Sequence, residues 1–131
     1  MSLKSPLGCI TRVWRGWTTK ANADKYVKLL QTKVFPDIHK HSGKGLIDIN
    51  FHRRDINDED TVEFLTLMRF QSMKDIQEWR GNSYDFTNLD NEAAQVPLEA
   101  RELLKDYDKY AKHFTNVYHH SNVFPSSTNY K

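Results

Sequence analysis

Cysteine is nearly absent: Cys9 is the single one among 131 residues. No internal disulfide is available, so the fold must rest on a hydrophobic core, and a reducing, cytoplasmic setting is expected. Glycine and proline are also few, at five and four, which excludes collagen-like and low-complexity classes. Charge of one sign is lacking too. Acidic and basic side chains are interspersed and leave a net charge of only +2. Such a balance gives no footing for nucleic acid or an anionic membrane surface as partner. No apolar run approaches the roughly 20 residues of a membrane-spanning helix, and no stretch reads as a signal peptide. Also missing are a phosphate loop, a nucleophile elbow, a dinucleotide fingerprint and any repeat at a solenoid period.

What is present is a folding composition. A hydrophobic fraction of 38% with 12% aromatics suits a globule with one real core, and the length suits one domain. Residues 1–8 read as a disordered lead-in and 9–118 as the domain. Residues 119–131, polar and rich in serine and asparagine, read as a mobile tail or an arm over a neighbour.

Residues 61–81 organise the rest. The first half alternates as a strand: Val62, Phe64, Met68 and Phe70 point one way, and Glu63, Leu65, Leu67 and Arg69 the other. The period then changes. Ser72 with Asp75 three residues on makes a helix start like a capping box, and Met73, Ile76 and Trp79 or Arg80 follow at helical spacing. Gly81 is expected to close that helix in the left-handed region. Leu65 and Leu67 make the second strand face apolar as well. An antiparallel sheet with helices on one side normally keeps its other face polar, so a second copy is expected to cover this one.

In chain order, residues 9–17 form a strand with Ile10, Arg12, Trp14 and Gly16 on one face. Thr18-Thr19 caps a helix carrying Ala23, Tyr26, Val27, Leu30 and Val34 down one side, and Phe35-Pro36 ends or kinks it. Residues 39–45 read as a turn with positive φ open to Gly43 and Gly45. Residues 46–54 form a second strand with Ile47, Ile49 and Phe51 inward and Asp48, Asn50 and His52 on the other face. A polar hairpin loop at 55–60 leads into the third strand. Within 82–95, a short helix with Phe86, Leu89 and Ala93, capped by Ser83, is the reading. Pro97 opens a helix in which Ala100, Leu103, Leu104 and Tyr107 share a face, and residues 109–118 alternate as the last strand. The class is α+β, with the ferredoxin-like order β-α-β-β-α-β around an antiparallel sheet.

These segments carry a resemblance. CITRVWRGWTTKANADKY, FLTLMRFQSMKDIQEWRG and VPLEARELLKDYDKYAKHF resemble the antibiotic biosynthesis monooxygenases, a family of dimeric α/β barrels. The resemblance covers most of residues 10–118. It implies a homodimer through the sheet face and, among the family's several activities, an oxygenase of small phenolic or polyketide-like molecules that needs no cofactor. It argues against haem degradation: Trp14 stands where the haem degraders have an asparagine, and 82–92 contains no histidine.

The residues offer a limited set of site candidates. Arg12 shares a strand face with Trp14, and an arginine inside a fold seeks an anionic or carbonyl partner; a solvated strand end is the plainer alternative. Trp79, with Trp14 and Met68, either walls a ligand pocket or simply fills the core. His52 and His113 lie in strands and have the chemistry of a general base, though isolated histidines are more often structural. The pairs around His39 and His41 and at His119-His120 lack a carboxylate or cysteine at ligand spacing, so no metal site is expected. In the oxygenase that the resemblance implies, Arg12 holds an anionic oxygen, Trp14, Trp79 and Met68 hold the rings, and His52 or His113 is the base. The alternative is a small-molecule-binding or accessory protein of the same fold. An RNA-binding sheet of the same order is set aside because residues 61–71 lack the basic-Gly-aromatic start of such modules.

Overall fold

The computed structural model of the protein describes residues 7–57, 59–81, 92–93 and 96–122. The strands are β1 (Ile10–Thr18), β2 (Leu46–Ile56), β3 (Thr61–Phe70), β4 (Glu92–Ala93), β5 (Leu104–Tyr107) and β6 (Tyr110–Thr115). The helices are α1 (Lys20–Leu29), α2 (Phe35–His41), α3 (Met73–Arg80) and α4 (Leu98–Leu103). The sheet runs β2-β3-β1-β6-β4, with β5 pairing β1 beside β6, and every pairing is antiparallel. If β5 and β6 count as one interrupted last strand, the order second–third–first–last is the split βαβ arrangement that the alternation predicts.

One sheet face is the core. β1 buries Ile10, Arg12, Trp14, Gly16 and Thr18, and β3 buries Val62, Phe64, Thr66, Met68 and Phe70. Two clusters form on that face: Ala23, Tyr26, Leu30, Val62, Phe64 and Ala100 in one, and Ile10, Met68, Phe70 and Ile76 in the other. Aromatic rings knit the first. Phe64 lies 4.9 Å from Tyr26 and stacks on Phe51 at 5.1 Å, within the range where ring pairs attract beyond simple burial.

Helix ends follow the local chemistry. Thr19 caps α1, its hydroxyl accepting from Asn22 N, and Ser72 caps α3, its Oγ accepting from Asp75 N at 3.2 Å. Gly81 closes α3 with φ 97° and ψ 159°. That is a positive-φ, glycine-favouring conformation rather than the left-handed helical one expected for it. The proline at 36 does not end the first helix. Pro36 has no N–H to give the carbonyl of the preceding turn. The chain widens into a π turn over Leu30–Val34, where Phe35 N donates to Leu30 O, and continues as α2. His39, Lys40 and His41 thus belong to the last turn of α2, where basic groups suit the helix C-terminus. The expected turn contracts to Gly43–Gly45. Only Gly43 of the two has positive φ. At Gly45 the need is space, because a Cβ would stand 2.2 Å from Asp75 Cγ.

Four further expectations are corrected. Ile47 is exposed, because a register shift between Leu46 and Asp48 puts an extra residue in β2; Leu46 and Ile49 therefore share the inward face despite their odd spacing. Pro97 is the cap of α4, one residue before its start. Leu104 and Tyr107 leave the predicted helix for β5, because β1 offers Thr18 and Gly16 as pairing partners. Ala93 pairs with Tyr110 in β4–β6 instead of lying in a helix; Ser83, Phe86 and Leu89 fall outside the described residues.

Candidate functional site

Strand register assembles the floor of the site. Arg12 pairs with Met68 and Trp14 with Thr66 across β1–β3, so four side chains from two strands stand side by side on the inner face. Arg12 is only 7% exposed. Its Nη1 lies 4.0 Å from the Met68 thioether, and its guanidinium carbon is 5.3 Å from the centre of the Trp79 ring. A guanidinium on an indole face is a favourable cation–π contact, which helps keep a charge inside the fold. Trp79 in turn stacks on Phe70 at 5.5 Å. Trp14 is fixed from the other side: its Nε1 donates to Asp108 O at 2.9 Å and its ring lies 5.9 Å from Tyr107.

Above this floor, between the sheet and the helices, lies a cavity of about 550 Å³. That is room for a drug-sized or polycyclic ligand. Arg12, Trp14, Thr66 and Met68 line it from the sheet, Tyr26, Leu30, Val34 and Phe35 from α1, the π turn and α2, Trp79 and Arg80 from α3, and Ala100 from α4. Lys33, Asp37 and Glu99 complete the charged lining. These three are exposed and paired: Lys33 Nζ meets Glu99 Oε2 at 3.3 Å, and Asp37 Oδ1 meets His41 Nδ1 at 3.2 Å. Burial pushes the Tyr26 phenol up from its ordinary pKa, so this hydroxyl stays protonated and can donate a hydrogen bond.

Arg12, Trp14, Met68 and Trp79 therefore meet in one cavity, and the two histidines do not join them. His52 pairs with Leu65 and is exposed on the opposite face of the sheet. His113 pairs with Arg12 across β1–β6, half-buried, but it does not line the cavity. Among the described residues no group of three or more His, Cys, Asp or Glu could hold a metal ion. Thr66 and Arg80 were missed as site residues. Strand parity already placed Thr66 between Phe64 and Met68, and helical spacing had left Trp79 and Arg80 as equal choices; both reach the cavity.

No protein-family model matches the sequence, nor does any curated protein. Solved structures do match. A Bacillus cereus protein assigned as an antibiotic biosynthesis monooxygenase superposes with a TM-score of 0.58 at 11% identity, over 86% of this chain and 97% of that one. The monooxygenase from the gene ActVA-Orf6 of Streptomyces coelicolor, in complex with the ligand nanaomycin D, superposes with a TM-score of 0.55 at 15% identity, over 88% and 93%. The chain has the antibiotic biosynthesis monooxygenase fold. Within this monooxygenase fold the cavity lies where sheet and helices part, and the fold accounts for its walls without assigning its chemistry.

Proposed function

We propose that the protein is a cofactor-independent monooxygenase acting on a small phenolic or enolisable aromatic molecule. The observation that carries this reading is Arg12, a buried cation on the wall of an aromatic-lined cavity beside Trp14, Met68 and Trp79. Such a substrate supplies its own electrons once deprotonated. A base removes the phenol O–H proton or the enolisable C–H proton, and the resulting anion, its oxygen held by Arg12, gives one electron to O₂. Superoxide and the substrate radical combine into a peroxide anion, which takes the proton back from the base to become a hydroperoxide. Loss of water then leaves one oxygen as a new carbonyl. Two bonds to hydrogen are broken (two C–H in an enolisable substrate, one O–H and one C–H in a phenol), one O₂ is consumed and one water is released, with no external reductant. An apolar cavity strengthens the contact between Arg12 and the anion. His113, beside Arg12 on the same face of the sheet, is the proposed base, while the exposed position of His52 on the far face removes its reason for that role.

The alternative is a binding or accessory protein, and one observation favours it: neither histidine lines the cavity. Oxygen uptake with anthrones, quinols and flavonoid-like phenols decides between them. Turnover falling at least tenfold in Arg12→Ala and in Trp79→Phe supports the oxygenase; binding without oxygen consumption across the panel supports the accessory protein. We also propose a homodimer formed through the outer sheet face, in keeping with Leu65 and Leu67 there. A cytoplasmic location fits the one cysteine, which is buried and free.

A further inference from the structure

Two hydroxyls on the cavity wall have no task in the oxygenase reading. Tyr26 is 1% exposed and Thr66 is 7% exposed, and both line the cavity. Among the described residues, neither hydroxyl has a hydrogen-bond partner. A buried hydroxyl left in that state costs free energy, and the cavity is the side from which a partner can reach it. Tyr26 comes from α1 and lies over β3, its ring 4.9 Å from Phe64 and 6.1 Å from Phe51. Thr66 is the next inward residue of β3 after Phe64, across from Phe51 on β2 and Trp14 on β1. The two hydroxyls thus mark one stretch of wall. Ala23, Leu30, Val62, Phe64 and Ala100 pack with Tyr26, and a charged ligand group among them would be desolvated without compensation. Burial keeps the phenol protonated, so Tyr26 is a donor suited to a neutral acceptor.

We propose that Tyr26 is a specificity-determining residue that donates its O–H to a neutral carbonyl oxygen of the ligand, with the Thr66 hydroxyl as a second polar contact beside it. The ligand class is then a ring ketone or quinone-like molecule, seated with its carbonyl towards α1. Arg12 stands at the level of Met68, about 7 Å along the strand from Thr66. The carbonyl and the ionisable oxygen therefore occupy different parts of one ring system. That last placement rests on the oxygenase reading; the contact of Tyr26 with the carbonyl does not. A site built to hydrogen-bond a ligand rejects the analogue that leaves its buried polar group unmatched.

Equilibrium dialysis with fluorenone and with fluorene, which has the same rings and no carbonyl, tests this. Tyr26→Phe keeps the ring and its packing, so fluorene should bind both proteins alike. The affinity ratio of ketone to hydrocarbon should fall about threefold to tenfold in Tyr26→Phe, the worth of one neutral hydrogen bond. Infrared difference spectra add a reading on the wild type alone. The carbonyl stretch of bound fluorenone should lie where it does in alcohol, and should move towards its position in hexane in Tyr26→Phe. No binding of fluorenone to the wild type, a hexane-like stretch there, or a ratio and stretch unchanged in Tyr26→Phe would overturn the proposal. Oxygen uptake from anthrones, quinols and flavonoid-like phenols is read separately. Ketone selectivity that depends on Tyr26, without uptake, upholds this site and sinks the oxygenase; uptake without such selectivity does the reverse.

Discussion

Tyr26 shows how one residue can serve core and site together. It packs on Phe64 at 4.9 Å and on Phe51 at 6.1 Å while lining the cavity. Burial raises its pKa because the charged phenolate is the form that loses solvation. The sign of the linkage is then fixed. Below the unfolded value of about 10 both states hold the proton, and the contribution of Tyr26 to stability is complete. As the pH rises from there towards the raised folded value, the unfolded chain ionises first and that contribution is lost. The expected loss is at most about 1.4 kcal/mol per pH unit. Urea unfolding at pH values near 8 and 11 should show this decline in the wild type and a smaller one in Tyr26→Phe. Equal declines would mean that Tyr26 is not shielded from water as its burial implies.

At the scale of elements, the last strand is the instructive case. Residues 98–107 have the apolar spacing of a helix, yet the helix stops at Leu103 and the chain turns to strand. Local periodicity favours one structure and pairing with β1 favours the other, and pairing wins because it satisfies a row of backbone groups at the edge of β1. The break between β5 and β6 falls at Asp108. Its backbone N–H donates to Arg15 O at 2.9 Å, and its carboxylate accepts from Arg15 N at 3.0 Å and Arg15 Nε at 3.1 Å. Its carbonyl meanwhile holds Trp14 Nε1. This one residue thus stitches two short strands to β1 and steadies a cavity wall. The Arg15 partner is exposed, so solvent discounts the ion pair. Asp108→Ala is expected to cost about 1 kcal/mol, measured as a lower urea midpoint, and to loosen the environment of Trp14. An unchanged midpoint would remove the stitching role.

These cases also mark what could be read in the sequence. Alternation in β1 and β3 gave Arg12, Trp14, Met68 and the inward face correctly, because strand parity is rigid wherever no bulge intervenes. In β2 a bulge does intervene, and Ile47 was misplaced. Ser72 and Thr19 were legible as caps since capping depends on neighbours alone. The continuation of the helix past Pro36 was not, because a π turn absorbs a missing donor without leaving a sequence pattern. Arg80 stands only as an alternative to Trp79 for a related reason: a helix periodicity of 3.6 cannot choose between adjacent positions at the edge of its buried stripe.

At the scale of the whole molecule the two sheet faces are unequal, and the inequality argues for a partner. The inner face is closed by helices. On the outer face Val13 pairs with Leu67, and Leu67 lies across from Asn50, with Leu65 and Trp17 along the same two strands. All four apolar side chains are half-buried in the single chain. Around them stand ion pairs, Arg69 with Asp48 and Arg54 with Glu63, and Phe114, which is 55% exposed beside Thr11. An apolar centre with a polar rim is the anatomy of an interface, and an antiparallel sheet that faced only water would be expected to carry polar residues at 65 and 67. A second copy can supply the same patch through a two-fold axis, since such a contact is self-complementary. Sedimentation at micromolar concentration should therefore give a dimer. Leu67→Asp places a charge at the centre of the patch, where it would be desolvated without a partner, and should shift the protein to monomer with a loss of thermal stability. A wild-type monomer under those conditions would leave the outer face an ordinary solvated surface. The oxygenase reading would survive that result, because Arg12, Trp14, Met68 and Trp79 meet on the inner face of the sheet and not on the outer one.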